Sequence, residues 1–311
     1  MSMNNSGKSN ISAVIFALIA GASYGVGGAV SQIVKAQGVE IGYMIVAQSI
    51  AALVVLGILV IASKKFRPSM SRKDAVKLIV LGMTSVFSSV GYYIAIDLIS
   101  VGAAVAMQFQ YVWIAVVFQC IFERTLPKKM TVVSAIMVVV GALLASGMAE
   151  ELAAGSLKMD PVGILFALLC AVFYALFIYM NSRVATEHHP VPRTFFLVIG
   201  AVIFTLVVLP FMNAGPLPDL AVAVPWGFVM GAIMVVAPCL CIVAASTKLS
   251  GGLVAILTSS ELPVAVLAGC LMLGESVTLV NIIGVVMIIA AIVLSESGSL
   301  FASRRKVRNK D

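Results

Sequence analysis

Long apolar segments separated by short polar ones make up most of the chain. A bilayer core about 30 Å thick is crossed by roughly 20 apolar helical residues, and ten segments approach or exceed that length. The ten predicted spans are Ser12–Val34, Ile41–Ala62, Ala75–Ile99, Ala103–Phe122, Thr131–Met148, Pro161–Asn181, Thr194–Met212, Val222–Ala245, Gly251–Leu273 and Thr278–Leu294. This pattern predicts an all-α integral membrane protein with ten transmembrane helices.

Basic residues fall almost entirely in alternate loops. Of the 20 Lys and Arg, all but Lys35 and Lys158 lie on one side of the membrane if the chain crosses it ten times. The positive-inside rule assigns that side to the cytoplasm. We therefore expect a multi-pass protein of the cell membrane with both termini in the cytoplasm, the C-terminal one being a basic tail over residues 296–311.

Composition narrows the class of partner. The chain is 61% hydrophobic and 11% charged with a mean hydropathy of +1.13, whereas a soluble domain has about 25% charged residues. Its net charge of +7 sits in short loops beside the spans, so topology accounts for it and no nucleic-acid partner is expected. The same loops predict contact with anionic membrane lipid. The five cysteines lie in apolar segments without CxxC spacing, so no metal, disulfide or cofactor is expected.

Motifs recur half a chain apart. Tyr24 and Tyr174 each follow a Phe-Ala-Leu triplet at an offset of 150 residues, and Glu123 and Glu275 close apolar segments at an offset of 152. The two halves, residues 11–148 and 160–295, contain five predicted helices each. Because five is odd, the second half enters the membrane in the opposite orientation to the first. Such inverted repeats are typical of secondary transporters, in which the substrate binds near the midplane between the repeats.

Glu261 is the one acidic residue near the middle of a predicted span. A charge at the bilayer centre costs a few kcal/mol on insertion scales, so such a group normally faces a cavity or a partner. Two functional interpretations stay open: a carboxyl that couples transport to protons, or a counter-ion for a substrate amine. The alternative is a structural role, in which Glu261 is hydrogen-bonded to Ser259, to Ser260 or to another helix. Pro263 predicts a kink beside it.

Other polar side chains at similar depth are candidates for substrate binding. They are Tyr24, Gln48, Tyr92, Gln108, Tyr111, Tyr174 and Ser260. Gln108 and Tyr111 share a helix face, and Gln108 matches Ser260 at the offset of 152. Of the adjacent Tyr92 and Tyr93, at most one is expected to face a cavity. The alternative for all of them is packing and hydrogen bonding between helices.

Several segments carry a resemblance to a known family. They are Tyr92–Ile96 with Ser100–Ala104, Phe122–Arg124, Ser250–Ala255, Glu261–Pro263 and Leu273–Glu275. With these, the chain resembles EamA-type members of the drug/metabolite transporter superfamily from Ile11 to about Ser295. The resemblance implies a ten-helix fold and secondary transport of small organic solutes without naming one. The chain departs from the family at Tyr111, where Pro is frequent, at Tyr24, where Trp is common, and at Gln48, where many members carry Arg.

The leading functional hypothesis is a secondary transporter that exports a small-molecule solute, such as an amino acid or amine, by alternating access. The predicted site at mid-membrane contains Tyr, Gln and one acid but no Lys or Arg. Such a site disfavours anionic solutes. Coupling to protons is one option. The alternatives are a flippase subunit for lipid precursors, a membrane-embedded enzyme accessory, and a channel. No Ser/His/Asp set or pair of catalytic carboxylates is evident in the sequence, so an enzyme is not expected.

Overall fold

The computed structural model describes the backbone of residues 3–212 and 216–308 and the side chains of residues 11–212 and 216–296. The predicted basic tail therefore lies almost wholly outside the described side chains. The ten long helices are α1 (Met3–Ala36), α2 (Ile41–Ala62), α3 (Arg72–Leu98), α4 (Val101–Glu123), α5 (Lys129–Ala145), α6 (Pro161–Asn181), α7 (Pro190–Phe211), α8 (Leu220–Ser246), α9 (Gly251–Leu273) and α10 (Leu279–Arg308). A 3₁₀ turn, Lys64–Phe66, follows α2, and no strand occurs among the described residues.

Most of these helices are long enough to cross a bilayer. Among the described residues, nine helices meet the length and hydropathy expected of a span, and α5 is apolar but shorter, at 17 residues. Helix α5 packs along α10, where Gly141 and Gly284 face each other so closely that a Cβ on either would clash with the other backbone. Small residues of this kind let membrane helices approach. The predicted all-α, ten-helix membrane fold is confirmed.

Contacts at the helix ends define two ends of the bundle. At the upper end, where α1 ends, the indole of Trp226 at the start of α8 donates to Gln37 Oε1 at 2.7 Å. At the lower end, Arg183 after α6 forms an ion pair with Glu123 at the end of α4, and the Gly252 N–H of α9 donates to Gln119 Oε1 at 3.2 Å. Helix α1 therefore rises towards the upper end, and its counterpart α6 descends.

Helix pairing is preserved when the two halves are exchanged. Helix α3 packs against α6 and α7, and its counterpart α8 packs against α1 and α2. In the same way α4 packs against α6, and α9 against α1. The pairs α2 with α7 and α5 with α10 map onto themselves. This symmetry, with opposite helix directions, is that of two inverted five-helix repeats.

Helix α5 ends three residues earlier than predicted, and a separate short helix, Met148–Ala153, follows it. Its two glutamates face the starts of two spans. Glu151 Oε1 accepts from the Gly102 N–H of α4 at 3.2 Å, and Glu150 Oε1 accepts from Asn281 Nδ2 of α10 at 3.1 Å. Carboxylates at helix N-termini are favourable because unpaired N–H groups and the helix dipole meet there. The short helix thus joins α4 and α10 at the upper end.

Candidate functional site

A cavity of about 330 Å³ lies between the two halves. At the upper end its mouth is lined by Lys35, Ile41 and Val101, and its floor reaches Glu261 halfway along α9. Helices from both repeats contribute to the wall. The location at a repeat interface near mid-membrane is where transporters of inverted repeats bind their substrates.

Most of the predicted site residues converge on this cavity. Its lining includes Tyr24, Gln48, Tyr92, Gln108, Tyr174 and Glu261. Tyr111 and Ser260, which were expected to join them, are not among the lining residues. Tyr111 is completely buried with its hydroxyl 3.4 Å from Thr258 Oγ1, and the Ser260 hydroxyl donates to the Leu18 carbonyl at 3.1 Å. Both polar groups are directed at neighbouring helices instead of the cavity.

Glu261 directly follows a tightened turn in α9. The backbone N–H groups of Ser259, Ser260 and Leu262 donate to carbonyls three residues earlier, at 3.3, 3.2 and 3.2 Å. Spacing of three residues is that of a 3₁₀ turn. Pro263 has no N–H to offer the Ser259 carbonyl, so Leu262 donates to it instead. The kink expected from Pro263 therefore takes the form of this turn, placed at the floor of the cavity.

Helix α4 contains the same turn without a proline. Gln110 N donates to Met107 O at 3.1 Å, and Val112 N donates to Phe109 O at 3.2 Å. This spacing leaves the Ala106 carbonyl without its usual backbone donor. The side-chain amide of Gln110 donates to that carbonyl at 3.1 Å. A side-chain hydrogen bond thus compensates here for the change that Pro263 imposes in α9.

The two turns fix the register between the repeats. Helices α4 and α9 start at Val101 and Gly251, and each ends before a residue in the left-handed region, Arg124 with φ 50° and Gly274 with φ 70°. The offset is 150 throughout, so Tyr111 corresponds to Glu261. The predicted pairing of Gln108 with Ser260 is wrong by two residues. It came from matching two glutamates, of which one ends α4 and the other follows α9.

Helix α1 lies unusually close to the turn of α9. A Cβ on Gly25 would lie 2.5 Å from the Glu261 carbonyl oxygen and 2.8 Å from the Ala265 nitrogen. Gly21 stands equally close to the backbone at Thr258. One turn further up, Gly28 lines the cavity and has open space around it. Glycines therefore allow α1 to hold the segment that carries Glu261.

Aromatic rings separate the cavity from the lower half of the bundle. The Tyr24 and Tyr174 rings meet edge to face at 6.2 Å, and Tyr174 contacts Tyr111 in the same way at 4.7 Å. Below them lies the largest apolar cluster, which includes Ile178 and Ile242, both completely buried. The cavity is therefore open at the upper end and closed at the lower end.

Several lining residues were not among the predicted site residues. Ser85, Ser88 and Ser89 of α3 face the cavity, and three serines within about one turn of an apolar span were an available signal. Tyr92 and Tyr93 both line the cavity, although only one was expected to. Adjacent helical residues point about 100° apart, and the cavity follows the surface of α3 widely enough to include both.

The carboxylate of Glu261 has no close partner. No hydrogen bond or ion pair joins it to another side chain in the part of the chain with described side chains. Lys35 at the mouth is 11 residues beyond Tyr24 on α1, which corresponds to about 16 Å at about 1.5 Å per residue. Asp97, the alternative acid for a coupling role, is expected near the outer end of its span, and it is exposed at the end of α3. Glu261 is the acidic residue among the described lining residues.

One group of residues elsewhere has the composition of a metal site. Ligand atoms of Asp74, Glu187 and His188 lie within 4.8 Å of one another at the lower end. The Asp74 carboxylate already accepts hydrogen bonds from the Ser71 hydroxyl at 2.7 Å and from Lys77 Nζ at 3.2 Å. The Glu187 side chain is 65% exposed. We assign no metal to this group.

Comparison with known proteins agrees with this architecture. A solved structure titled only as the crystal structure of a protein shares the fold, with a TM-score of 0.76 and 14% sequence identity over 92% of this chain and 98% of the other. No curated protein matches the sequence. The model of the EamA-like transporter family matches residues 11–147 and again residues 161–296. The chain therefore belongs to the EamA-like transporter family and is a membrane transporter of the drug/metabolite superfamily.

Proposed function

We propose that the protein is a secondary transporter that exports a small organic solute, such as an amino acid or amine, by alternating access. The observation that carries this proposal is the unpartnered Glu261 carboxylate at the floor of a cavity between inverted repeats. An ionisable group at mid-membrane is expensive unless it serves a pathway or a partner. Glu261 is positioned to bind an ammonium group, and to exchange that group for a proton.

The proposed cycle runs in the direction of export, with its two sides assigned from the expected orientation. By the positive-inside rule the upper end faces outward, so this conformation offers Glu261 to the outside. In export, solute leaves through the upper mouth and a proton takes its place on Glu261. The mouth then closes, and the apolar cluster around Ile178 and Ile242 separates to admit solute from the cytoplasm. Symmetric pairing of helices allows such rocking of one repeat against the other.

The Glu261→Gln variant tests the proposed role of the acid. The amide keeps the size of the side chain and its hydrogen-bonding ability but cannot release a proton. In proteoliposomes we expect solute transport to fall at least tenfold and the remaining transport to lose its dependence on a pH gradient. Asp97→Asn is the matched control and should transport like the wild type, because Asp97 is exposed. Equal transport and equal pH profiles for Glu261→Gln and the wild type would refute the role.

Reporter fusions test the orientation separately. Fusions after Lys65, Lys129 and Arg193 are expected to report the cytoplasm, because they lie in or beside the basic loops of the lower end. Fusions near Ala154 and Pro218 are expected to report the outside. If Lys129 and Ala154 report the same side, the five-plus-five arrangement is wrong.

A further inference from the structure

The wall of the cavity offers several hydrogen-bond acceptors, and its serines are the clearest case. Ser85 and Ser89 donate their hydroxyl protons to carbonyls of their own helix, Gly82 O at 2.8 Å and Ser85 O at 3.3 Å. Ser88 donates across the interface to Cys170 O at 2.9 Å. Each hydroxyl has one proton and two lone pairs. These side chains therefore present only lone pairs to a solute.

The same holds for Ser31 nearer the mouth. It lines the cavity and donates to the Gly28 carbonyl at 2.6 Å. Its remaining lone pairs are free to accept a hydrogen bond from a solute on its way to the floor.

Gln48 adds an acceptor without a partner. Its Oε1 is buried and has no hydrogen-bond partner among the described residues, and the side chain lines the cavity. A buried polar atom without a partner is costly, at about 1–3 kcal/mol. A solute that donates a hydrogen bond to Oε1 would remove that cost. Gln48 and Glu261 belong to different repeats and line the same cavity.

Among the described lining residues, no charged donor lies at the depth of Glu261. The amides of Gln48 and Gln108 and the hydroxyls of tyrosines such as Tyr24 and Tyr174 can donate, but each of these groups also accepts. The charged donor in the lining is Lys35, about 16 Å from the level of Tyr24 along α1. A solute anion would therefore have no cationic partner near the floor.

We infer that the transported solute is a cation with several N–H donors, a primary ammonium or a guanidinium, and that quaternary ammonium compounds are rejected. This rests on the proposed transport function and specifies its substrate. A primary ammonium has three N–H groups to donate to the Glu261 carboxylate and to neutral acceptors of the lining, whereas a trimethylammonium has the same charge and none. Tyrosine rings would attract either cation, so hydrogen bonding makes the difference.

Matched pairs of cations test the inference on the full chain in proteoliposomes. The pairs are phenethylamine with N,N,N-trimethylphenethylammonium, and butylguanidine with its fully N-methylated guanidinium analogue, which has no N–H. We expect the N–H compounds to be transported at least about tenfold better, since a hydrogen bond to a charged group is worth roughly that factor or more. Equal transport within both pairs, or transport of none of the four compounds, would overturn the inference.

Two variants identify the acceptors responsible. Gln48→Leu should reduce the preference within each pair several-fold, whereas Gln48→Glu, which keeps an acceptor, should preserve it. Ser246→Ala is the control, because Ser246 is buried outside the cavity lining and should leave the preference unchanged. An unchanged preference in Gln48→Leu would overturn the assignment of this residue.

The outcome is separable from that of the proposed function. If Glu261→Gln reduces transport of another solute while the N–H cations are refused, the substrate inference fails and the transporter proposal stands. If Glu261→Gln has no effect on any transported solute, the proposed role of Glu261 fails first.

Discussion

The turns in α4 and α9 have the same geometry and different chemistry. Both tighten to 3₁₀ spacing at mid-membrane, at positions 150 residues apart. One is followed by Tyr111, which is completely buried among rings, and the other by Glu261, which faces the cavity. The turn depends on a Gln side chain in α4 and on a proline in α9. The repeats therefore preserve backbone shape, while each position's chemistry depends on whether it faces the cavity or the closed half.

In this conformation Tyr111 and Glu261 have different surroundings because the cavity is open at the upper end and closed at the lower end. A symmetric bundle with a cavity at one end places corresponding residues in opposite environments, one beside water and one in the packed half. An ionisable group is tolerated only on the wet side, because burying a charge without a partner is costly. The comparison teaches that the two repeats share the backbone shape of this turn without sharing the chemistry of the residue that follows it.

Placing a glutamate at the corresponding position of α4 is expected to have the largest effect on folding. Tyr111→Glu would bury a carboxylate among Tyr174 and Phe109 without a partner, at a cost of several kcal/mol. We expect little folded protein by size-exclusion chromatography in detergent. Tyr111→Phe is the control and should cost about 1 kcal/mol or less, because it removes only the hydroxyl beside Thr258. Normal folding of Tyr111→Glu would show that the two turns are interchangeable.

Widening the contact between α1 and α9 is expected to have a smaller effect. Gly25→Ala places a methyl group against the backbone at Glu261 and Ala265, and such overpacking costs about 1–3 kcal/mol. The thermal midpoint in detergent should fall, and transport should fall with it. Gly28→Ala, three residues along the same helix with open space around it, should change the midpoint little. Equal midpoints for the two variants would contradict the close approach.

Removing the side chain that supports the α4 turn is expected to have the smallest effect. Gln110 Oε1 also accepts from the Trp113 indole at 2.7 Å. Gln110→Leu loses this bond and the one to Ala106, at a net cost of about 1 kcal/mol. In a Trp226→Phe background, Trp113 fluorescence should shift. Pro263→Ala should leave that signal unchanged, because it affects the other turn. If the Trp113 spectrum is unchanged in Gln110→Leu, the Gln110 side chain does not support the turn in α4.

Some of the site was accessible from the sequence and some was not. The depth of Glu261 along its span, and that of Tyr24 and Tyr174, were readable because an apolar span has a measurable length. The burial of Tyr111 was not, since a helix in a membrane is apolar on both its lipid face and its packed face. Hydrophobic periodicity, which separates inside from outside in water, carries little information there.

The turn in α4 shows the same limit. Pro263 predicted a kink in α9 from the sequence. The corresponding segment of α4 contains Gln110 instead, and this residue by itself predicts no turn. Only the folded structure shows that its amide donates to the Ala106 carbonyl. For α4 and α9 the register of 150 likewise emerged from the helix ends, because the glutamates suggested 152, although the tyrosines of α1 and α6 already have an offset of 150 in the sequence.

The sequence by itself determined the number of spans, the inverted five-plus-five arrangement and the presence of one acid at mid-membrane. These follow from segment length, an odd number of helices per repeat, and the high cost of a charge in hydrocarbon. Only the tertiary structure decided which polar groups meet in the cavity, which end is open and where each hydroxyl proton is used. Those depend on contacts between helices distant in sequence, and on the rotation of each helix about its axis, which apolar faces do not specify.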